Sequence, residues 1–586
     1  MPDGQRRTAG PDAVRRLPHR TEGRRHRPVT PTANASLPLR LGDFPGLVEA
    51  LDYAARGETG VNFFDGRGNP AGSMGYAALR DAARAAAAHL GQAGLRAGDR
   101  IALVAETGPA FLAVFYGCQY AGIVPCILPH RLQPGSGDAP AMELARFFAR
   151  TGAGLMLAPE RMIAIVQAAV GAGRAAALEA FTAPISAPPT APVPAAADRP
   201  AYVQYSSGST ADPRGIPIML PALMANVAAI ASAGLRLRSD DRAFSWLPLY
   251  HDMGLVGFSI VAMAAQRSVD YLSPNAFALR PGLWLRLMSQ QRSKIVYAPS
   301  FAWRLAAERA SGEQGLDLSA LRVAGIGGDM VRGRDMAAFA SAFASAGFDP
   351  AAFQPSYGLA EAVLAISIAQ AGSPPREDAP DDAQGERRFV GCGRPLPGIT
   401  VRITDDAGNA LPDGATGRIR VAGANIMPGY DGAPPLAEGA LLETGDLGFL
   451  RDGELFVTGR AKDLIAVRGR NIWAQDVEWA AETVPPIRPG DTAAFGVDDG
   501  GGETVVLLVQ RASADRDALR ARIGEALAST LGITATIVFV PPRALPFTSS
   551  GKLARARARA LYLTGIWSGA EAAPVLSGPA PVCLNP

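Results

Sequence analysis

Apolar positions along this chain follow two periods that take turns. Residues 76–94 repeat small apolar side chains at helical spacing, and residues 100–105 (RIALVA) then form a short unbroken apolar run. Residues 108–122 return to the helical period and 123–128 to the strand-like one. Alternation of helix-length and strand-length signals predicts a layered α/β unit around a mainly parallel sheet. Residues 181–200, dense in Pro and Ala, predict a connector, and residues 372–387, polar and proline-bearing, a surface insertion. Beyond Gly391 the pattern shortens. Strands are expected at 400–404, 418–421 and 454–458, with turns at 405–408 and at Asp452-Gly453, which predicts a small β subdomain. A compact α+β tail then runs from Gly459 to about Tyr562.

Length and composition sharpen this. At 586 residues the chain exceeds one core, and 48% hydrophobic with 19% charged residues is the composition of a globular protein. The fold class expected is α/β: a large N-terminal domain of layered α/β subdomains plus a small β subdomain, then a small mobile α+β C-terminal domain. The boundaries expected are a disordered basic tail at 1–36, the N-terminal domain at 37–459, the mobile domain at 460–565 and a disordered tail at 566–586. Much of the net charge of +3 can be assigned to Arg6, Arg7, Arg15, Arg16, Arg20, Arg24, Arg25 and Arg27. They read as a flexible tail or an overlong start rather than a nucleic-acid arm. No apolar h-region follows them, and the apolar stretches 111–128 and 253–265 are interrupted or too short to span a bilayer. Cys118, Cys126, Cys392 and Cys583 show no metal spacing and suit structural thiols in a reducing compartment, so a cytoplasmic protein is expected.

Candidate chemistry starts from a bias. Of 57 basic side chains only Lys294, Lys462 and Lys552 are lysines. A lysine kept in an arginine-rich chain points to a task for a compact ammonium on a flexible stem, which a planar guanidinium cannot do. Tyr205-Ser206-Ser207-Gly208-Ser209-Thr210-Ala211-Asp212-Pro213-Arg214-Gly215 is a hydroxyl-and-glycine loop after a strand-like run. Its glycines let backbone N–H groups close on an anion and its hydroxyls add donors. It is not a Walker loop, since no Gly-Lys-Ser/Thr opens a helix.

That segment resembles the phosphate loop of the adenylate-forming superfamily of acyl-CoA synthetases, luciferases and nonribosomal adenylation domains. Ala211 and Arg214 stand where the family usually has glycine and lysine; the charge is kept and the alanine restricts the backbone. The resemblance implies that Ser206, Ser207, Gly208, Ser209, Thr210 and Arg214 grip the phosphates of ATP. Ser245-Trp246-Leu247-Pro248-Leu249-Tyr250-His251-Asp252-Met253-Gly254-Leu255 is similar to a stretch typical of fatty acyl-AMP ligases, and implies His251 at the acyl entrance. In Arg322–Asp329 and Ser356-Tyr357-Gly358-Leu359-Ala360-Glu361-Ala362, glycines let a flat base approach and Tyr357 offers a face to stack on. The family implies adenine contacts at Gly327, Gly328, Asp329 and Tyr357, cofactor binding also at Gly358, and Mg²⁺ held by Glu361 and Ser206. Asp446 in Thr444-Gly445-Asp446 would accept from the ribose hydroxyls, with Arg460 as a donor. Lys462 matches the hinge about which the C-terminal domain turns. Lys552 matches the lysine that enters the site only in the adenylating orientation.

The implied catalytic set is Lys552, His251 and Glu361, with ATP and Mg²⁺ as cofactors. The implied reaction is ATP-dependent activation of a carboxylic, chiefly fatty, acid to acyl-AMP with release of pyrophosphate. Transfer to the phosphopantetheine thiol of an acyl carrier protein would follow, in lipid, polyketide or nonribosomal peptide biosynthesis. Residues 37–563 carry the resemblance, including Cys392-Gly393-Arg394-Pro395-Leu396-Pro397-Gly398 and residues 459–471. Residues 369–388 look shorter than that family's coenzyme A-excluding insertion. Coenzyme A as acceptor therefore stands as one alternative, and a non-catalytic nucleotide- or carrier-binding protein as another.

Overall fold

The structure, a computed structural model, describes residues 37–129, 139–185, 191–194, 196–206, 214–381, 387–437, 439–467, 470–498, 502–510, 515–548 and 552–567. The two terminal tails expected from the sequence lie largely outside these residues.

The alternating periods become Tyr76–Gln92, Arg100–Val104, Pro109–Ala121 and Val124–Leu128. Boundaries are sharp because Pro109 sits at the first helical position and Gly122 ends that helix in the left-handed region, at φ 67°. The two helices pack on each other between two sheets and are buried in one shared core.

The first sheet orders Ala175–Ala177, Leu155–Ala158, Arg100–Val104, Val124–Leu128, Pro200–Ser206 and Arg214–Met219. All neighbours are parallel except the last two, which form a hairpin pairing Ser206 with Arg214. The second sheet has a parallel centre of Phe353–Gly358, Val323–Ile326, Ile295–Ala298, Arg242–Ser245, Ser268–Leu272 and Gly60–Phe64, with antiparallel strands at both edges. Loops after the parallel strands gather at one edge, where open α/β sheets place ligands.

Ile399–Thr404, Gly417–Gly423, Leu442–Arg451 and Glu454–Arg460 form the small antiparallel sheet. Leu442–Arg451 is a strand the polar, glycine-bearing sequence does not advertise; its register shifts at Leu447/Gly448. Within the 372–387 stretch Glu377–Asp378 forms a short strand that pairs antiparallel to Phe389–Val390. After the short turn Ala461–Asp463, the chain builds separate cores around Thr492–Asp498, Glu503–Val509 and Thr536–Phe539. Three helices pack there, Ala474–Glu482, Arg516–Leu531 and Arg555–Leu563. Among the described residues no helix is long and apolar enough to cross a membrane.

Candidate active site

A cavity of about 1760 Å³ opens between the two large sheets, the small sheet and the C-terminal segment. Tyr357, Gly358, Glu361, Asp446, Arg460, Lys462, His251, Arg214 and Lys552 all line it. Segments more than 300 residues apart in sequence thus share one space.

At one end of it, Tyr357 donates its hydroxyl to Asp446 Oδ2 at 2.7 Å, and Arg460 Nε lies 3.1 Å from Asp446 Oδ1. Strand pairing sets this up, because Asp446 lies opposite Arg460 in the small sheet. The Asp446 backbone N–H donates to Thr444 Oγ1, whose hydroxyl donates to the Ile419 carbonyl. Burial, then the Asp446 charge, pushes the Tyr357 phenol well above its usual value, so it stays a neutral donor.

The strand Val323–Ile326 delivers the glycine pair. A Cβ on Gly327 would lie 2.6 Å from Ser356 Oγ and 2.9 Å from its carbonyl, so this position must be bare for the neighbouring strand to approach. Gly327 does not line the cavity; Gly328, at φ 81°, does. Asp329 lines it too, while its Oδ1 accepts from the Ser300 N–H at the start of the helix Ser300–Ala310. Burial raises the Asp329 carboxyl; the Ser300 N–H and the Lys552 charge oppose that.

Glu361 stands on a short turn that closes through a strained residue. Val363 has φ 67° and ψ −63°, and the Leu364 N–H donates to the Ala362 carbonyl at 2.8 Å, the geometry of a γ-turn. Tyr430 donates to Glu361 Oε1 at 2.8 Å, and the Arg214 guanidinium lies over the Tyr430 ring at 5.2 Å. The Asp431 N–H donates to the Gly215 carbonyl, and Asp431 is held in a two-pronged pair with Arg100 at 2.6 and 2.8 Å. Tyr430 thus links the strand after the hydroxyl-and-glycine loop to the acidic turn. Sequence reasoning passes over it, because a tyrosine in Pro428-Gly429-Tyr430 carries no signal of a partner 69 residues away.

Ser207, Gly208, Ser209 and Thr210 lie outside the described residues, and Ser206 is described only as the end of its strand. Glu361 Oε2 has no hydrogen-bond partner among the described residues. One free hard oxygen fits Mg²⁺ held chiefly by substrate phosphates and water. No group of three or more His, Cys, Asp or Glu among the described residues could cage an ion without substrate.

His251 Nδ1 lies 2.5 Å from Asp252 Oδ1, which leaves Nε2 without a partner among the described residues. Burial works to raise the Asp252 carboxyl. The charges of His251 and Lys552, with the Met253 N–H, outweigh it and hold the group below its usual value. The charge of Lys552 therefore reaches both Asp252 and Asp329.

Lys552 sits where the Thr548 N–H donates to its carbonyl at 2.7 Å and its own N–H donates to Thr548 Oγ1 at 3.1 Å. Just beyond, Arg555 donates to both oxygens of Glu478 at 2.7 Å and to Asp463 Oδ2 at 2.7 Å. That clamp ties the Lys552 loop to the turn bearing Lys462. In an Arg-Ala-Arg-Ala-Arg run, nothing in the sequence separates buried Arg555 from its neighbours. Partial shielding and the Arg460 charge lower the Lys462 ammonium from its usual value, against the pull of Asp463 and Asp446.

Comparison with known proteins gives the arrangement a context. The family model described as AMP-binding enzyme matches residues 54–431. A Caulobacter vibrioides (strain NA1000 / CB15N) protein provisionally named an acyl-CoA synthetase is 40% identical, over 92% of this chain and 99% of that protein. The medium-chain-fatty-acid–[acyl-carrier-protein] ligase JamA of Moorena producens (strain JHB) is 30% identical, over 89% of this chain and 96% of its own. A solved structure from a study of fatty acyl-adenylate ligases of E. coli and L. pneumophila superimposes with a TM-score of 0.86. It is 38% identical and covers 91% of this chain and all of its own.

Proposed function

Because the chain belongs to the AMP-binding enzyme family, we propose that it joins a fatty acid to the adenylyl group of ATP and then passes the acyl group to the phosphopantetheine thiol of an acyl carrier protein. It is an ATP-dependent, adenylate-forming ligase.

In the first step a carboxylate oxygen forms a bond to the α-phosphorus while the bond to pyrophosphate breaks. Both partners are anions, so the protein's contribution is placement and neutralisation of charge. Tyr357, Asp446 and Arg460 hold the nucleoside, with the Asp446 carboxylate accepting from ribose and Arg460 donating. Arg214 and the loop before it receive the phosphates. Mg²⁺, held by Glu361, by a Ser206 hydroxyl and by the phosphates, would neutralise the departing pyrophosphate. His251 lines the mouth through which the acid approaches, fixed by Asp252. The Lys552 ammonium spans the acid's oxygen and the α-phosphate. The observation that carries this reading is the position of Lys552 in the same cavity as the Tyr357–Asp446–Arg460 cluster.

A carrier protein is favoured over coenzyme A by the likeness of residues 245–255, 392–398 and 459–471 to fatty acyl-AMP ligases. The test loads purified enzyme with ATP, Mg²⁺ and fatty acids of graded length, then offers coenzyme A or a holo-carrier protein in parallel. Acid-dependent pyrophosphate exchange with thioester formed on the carrier alone is the expected result. Equal or greater transfer to coenzyme A overturns the acceptor assignment and leaves the adenylating one standing.

A further inference from the structure

The acid-binding side of the cavity does not end where the sheet begins. The parallel strands Arg242–Ser245, Ser268–Leu272 and Ile295–Ala298 run in register, and residues from both of their ends line the same space. Trp246 and Ser300 follow the C-terminal ends and line the cavity, as His251 does. Ala243, Ile295, Asp241 and Arg267 lie at the N-terminal ends. The three rises of a four-residue strand cover about 10 Å, so the cavity lining extends along these strands as a tunnel on that scale. Its walls are Ile230, Leu235, Leu237, Phe258, Val261 and Ala262, all apolar and buried from the outside. Phe258 and its neighbours belong to a wide helical turn, Met253–Ile260, of the kind that accumulates at functional sites.

The far end is polar. Arg267 is 4% exposed and Asp241 2% exposed, yet both line the cavity. They are neighbours by register, since Ser268 pairs with Arg242. Arg267 Nε donates to the Ala265 carbonyl at 2.9 Å, and Nη1 donates to the carbonyls of Arg238 and Ser239. Nη2 has no partner among the described residues, and no carboxylate there forms an ion pair with Arg267. Asp241 is paired with Arg322, through Oδ1 at 2.8 Å and through Oδ2, and its Oδ2 also accepts from the Arg238 N–H at 2.7 Å. Arg267 Nη2 is thus a charged donor without a protein acceptor among the described residues, facing a cavity with apolar walls, and a bound group that accepts from it gains a charge-assisted hydrogen bond.

We propose that this end of the tunnel binds a hydroxyl on the distal end of the acyl chain, so that the preferred acid is an ω-hydroxylated fatty acid rather than an unsubstituted one. The assignment rests on the adenylating reading above and names its substrate class. A hydroxyl satisfies both groups at once, accepting from Arg267 Nη2 and donating to Asp241 Oδ1. A distal carboxylate accepts from Arg267 but faces the Asp241 charge, and a methyl end offers Nη2 no acceptor.

The experiment compares pyrophosphate exchange for unsubstituted, ω-hydroxy and α,ω-dicarboxylic acids of matched length across a graded series. At the best length the ω-hydroxy acid is expected to show kcat/KM about tenfold above its unsubstituted partner, the worth of one hydrogen bond to a charged group. Arg267→Met is expected to bring the two within about twofold, and Arg267→Gln serves if that variant does not fold. Equal or lower kcat/KM for the ω-hydroxy acid at every length overturns the proposal. So does a preference for the dicarboxylic acid, or one that survives both substitutions. Absence of exchange with every acid overturns the adenylating reading itself, and this assignment with it.

Discussion

Lys552 lies among Asp252 and Asp329 in the cavity, with its charge acting on both. A flexible ammonium there can leave two protein carboxylates for two substrate anions, which a planar guanidinium does less readily. Lys552→Ala is expected to lower acid-dependent pyrophosphate exchange by at least about 10²-fold, the scale of a lost transition-state donor. ATP binding, followed by fluorescence or calorimetry, should change little. Exchange at wild-type rates would show that Lys552 takes no part in the first step. At this scale the sequence was informative where a residue type was rare or a motif dense. Lys552, Asp446 and Glu361 could be singled out in that way and the structure brings them to one cavity. Tyr430, Arg555 and Arg267 could not, because their meaning lies in partners tens of residues away. Gly327 carries a packing demand that the sequence does not show, since a Cβ there would meet Ser356.

Elements with one clear period were legible, and elements whose two faces meet different surroundings were not. Residues 100–105 and 123–128 read as buried strands because both faces are covered, and Arg100–Val104 and Val124–Leu128 are interior strands of a parallel sheet. Leu442–Arg451 pairs on both edges but bulges and turns polar groups toward the cavity, so no alternation survives in its sequence. The last helix is an intermediate case. Arg555–Leu563 has alternating Arg and Ala, which suggests a solvated face, yet Arg555 is the clamp between this helix, Glu478 of Ala474–Glu482 and Asp463. Arg555→Ala leaves two nearly buried carboxylates without their cation, a change worth roughly 3–5 kcal/mol. Loss of the clamp is expected to lower the midpoint of the C-terminal unit's thermal unfolding and to reduce exchange, while unfolding of the large core stays in place. Calorimetry resolving the two units checks this, and an unmoved C-terminal transition would mean that the clamp is not what orders the Lys552 loop.

At the scale of the whole molecule the C-terminal unit sits on the large one through a chemically specific contact. Trp479 lies under three guanidinium groups, Arg332 at 4.3 Å, Arg387 at 5.4 Å and Arg334 at 5.8 Å from its ring. Glu482 pairs with Arg332 at 3.1 Å and Arg334 at 2.7 Å, and Asp476 pairs with Arg387. Helix Ala474–Glu482 thus presents one acidic and aromatic face to a basic patch on the large unit. Asp476 is the exception within it: burial, reinforced by Glu478 and opposed by Arg387 and Arg332, raises its carboxyl to about 6. Released into solvent, that carboxyl would return to the ordinary aspartate range near 4. Because the docked form binds the proton more tightly, protonation favours docking. The contribution is fully present below the ordinary aspartate value and is lost as pH rises through about 6. The interval between the two values is worth roughly 3 kcal/mol, enough to shift a balanced orientation equilibrium strongly. A pair of labels spanning the two units should report more docked molecules at pH 5 than at pH 7.5. In Asp476→Asn, which keeps the shape and removes the titration, the docked fraction should be flat over that range. If wild type and Asp476→Asn respond to pH alike, the orientation is not governed by this carboxyl, and the arginine–tryptophan stack alone must set it.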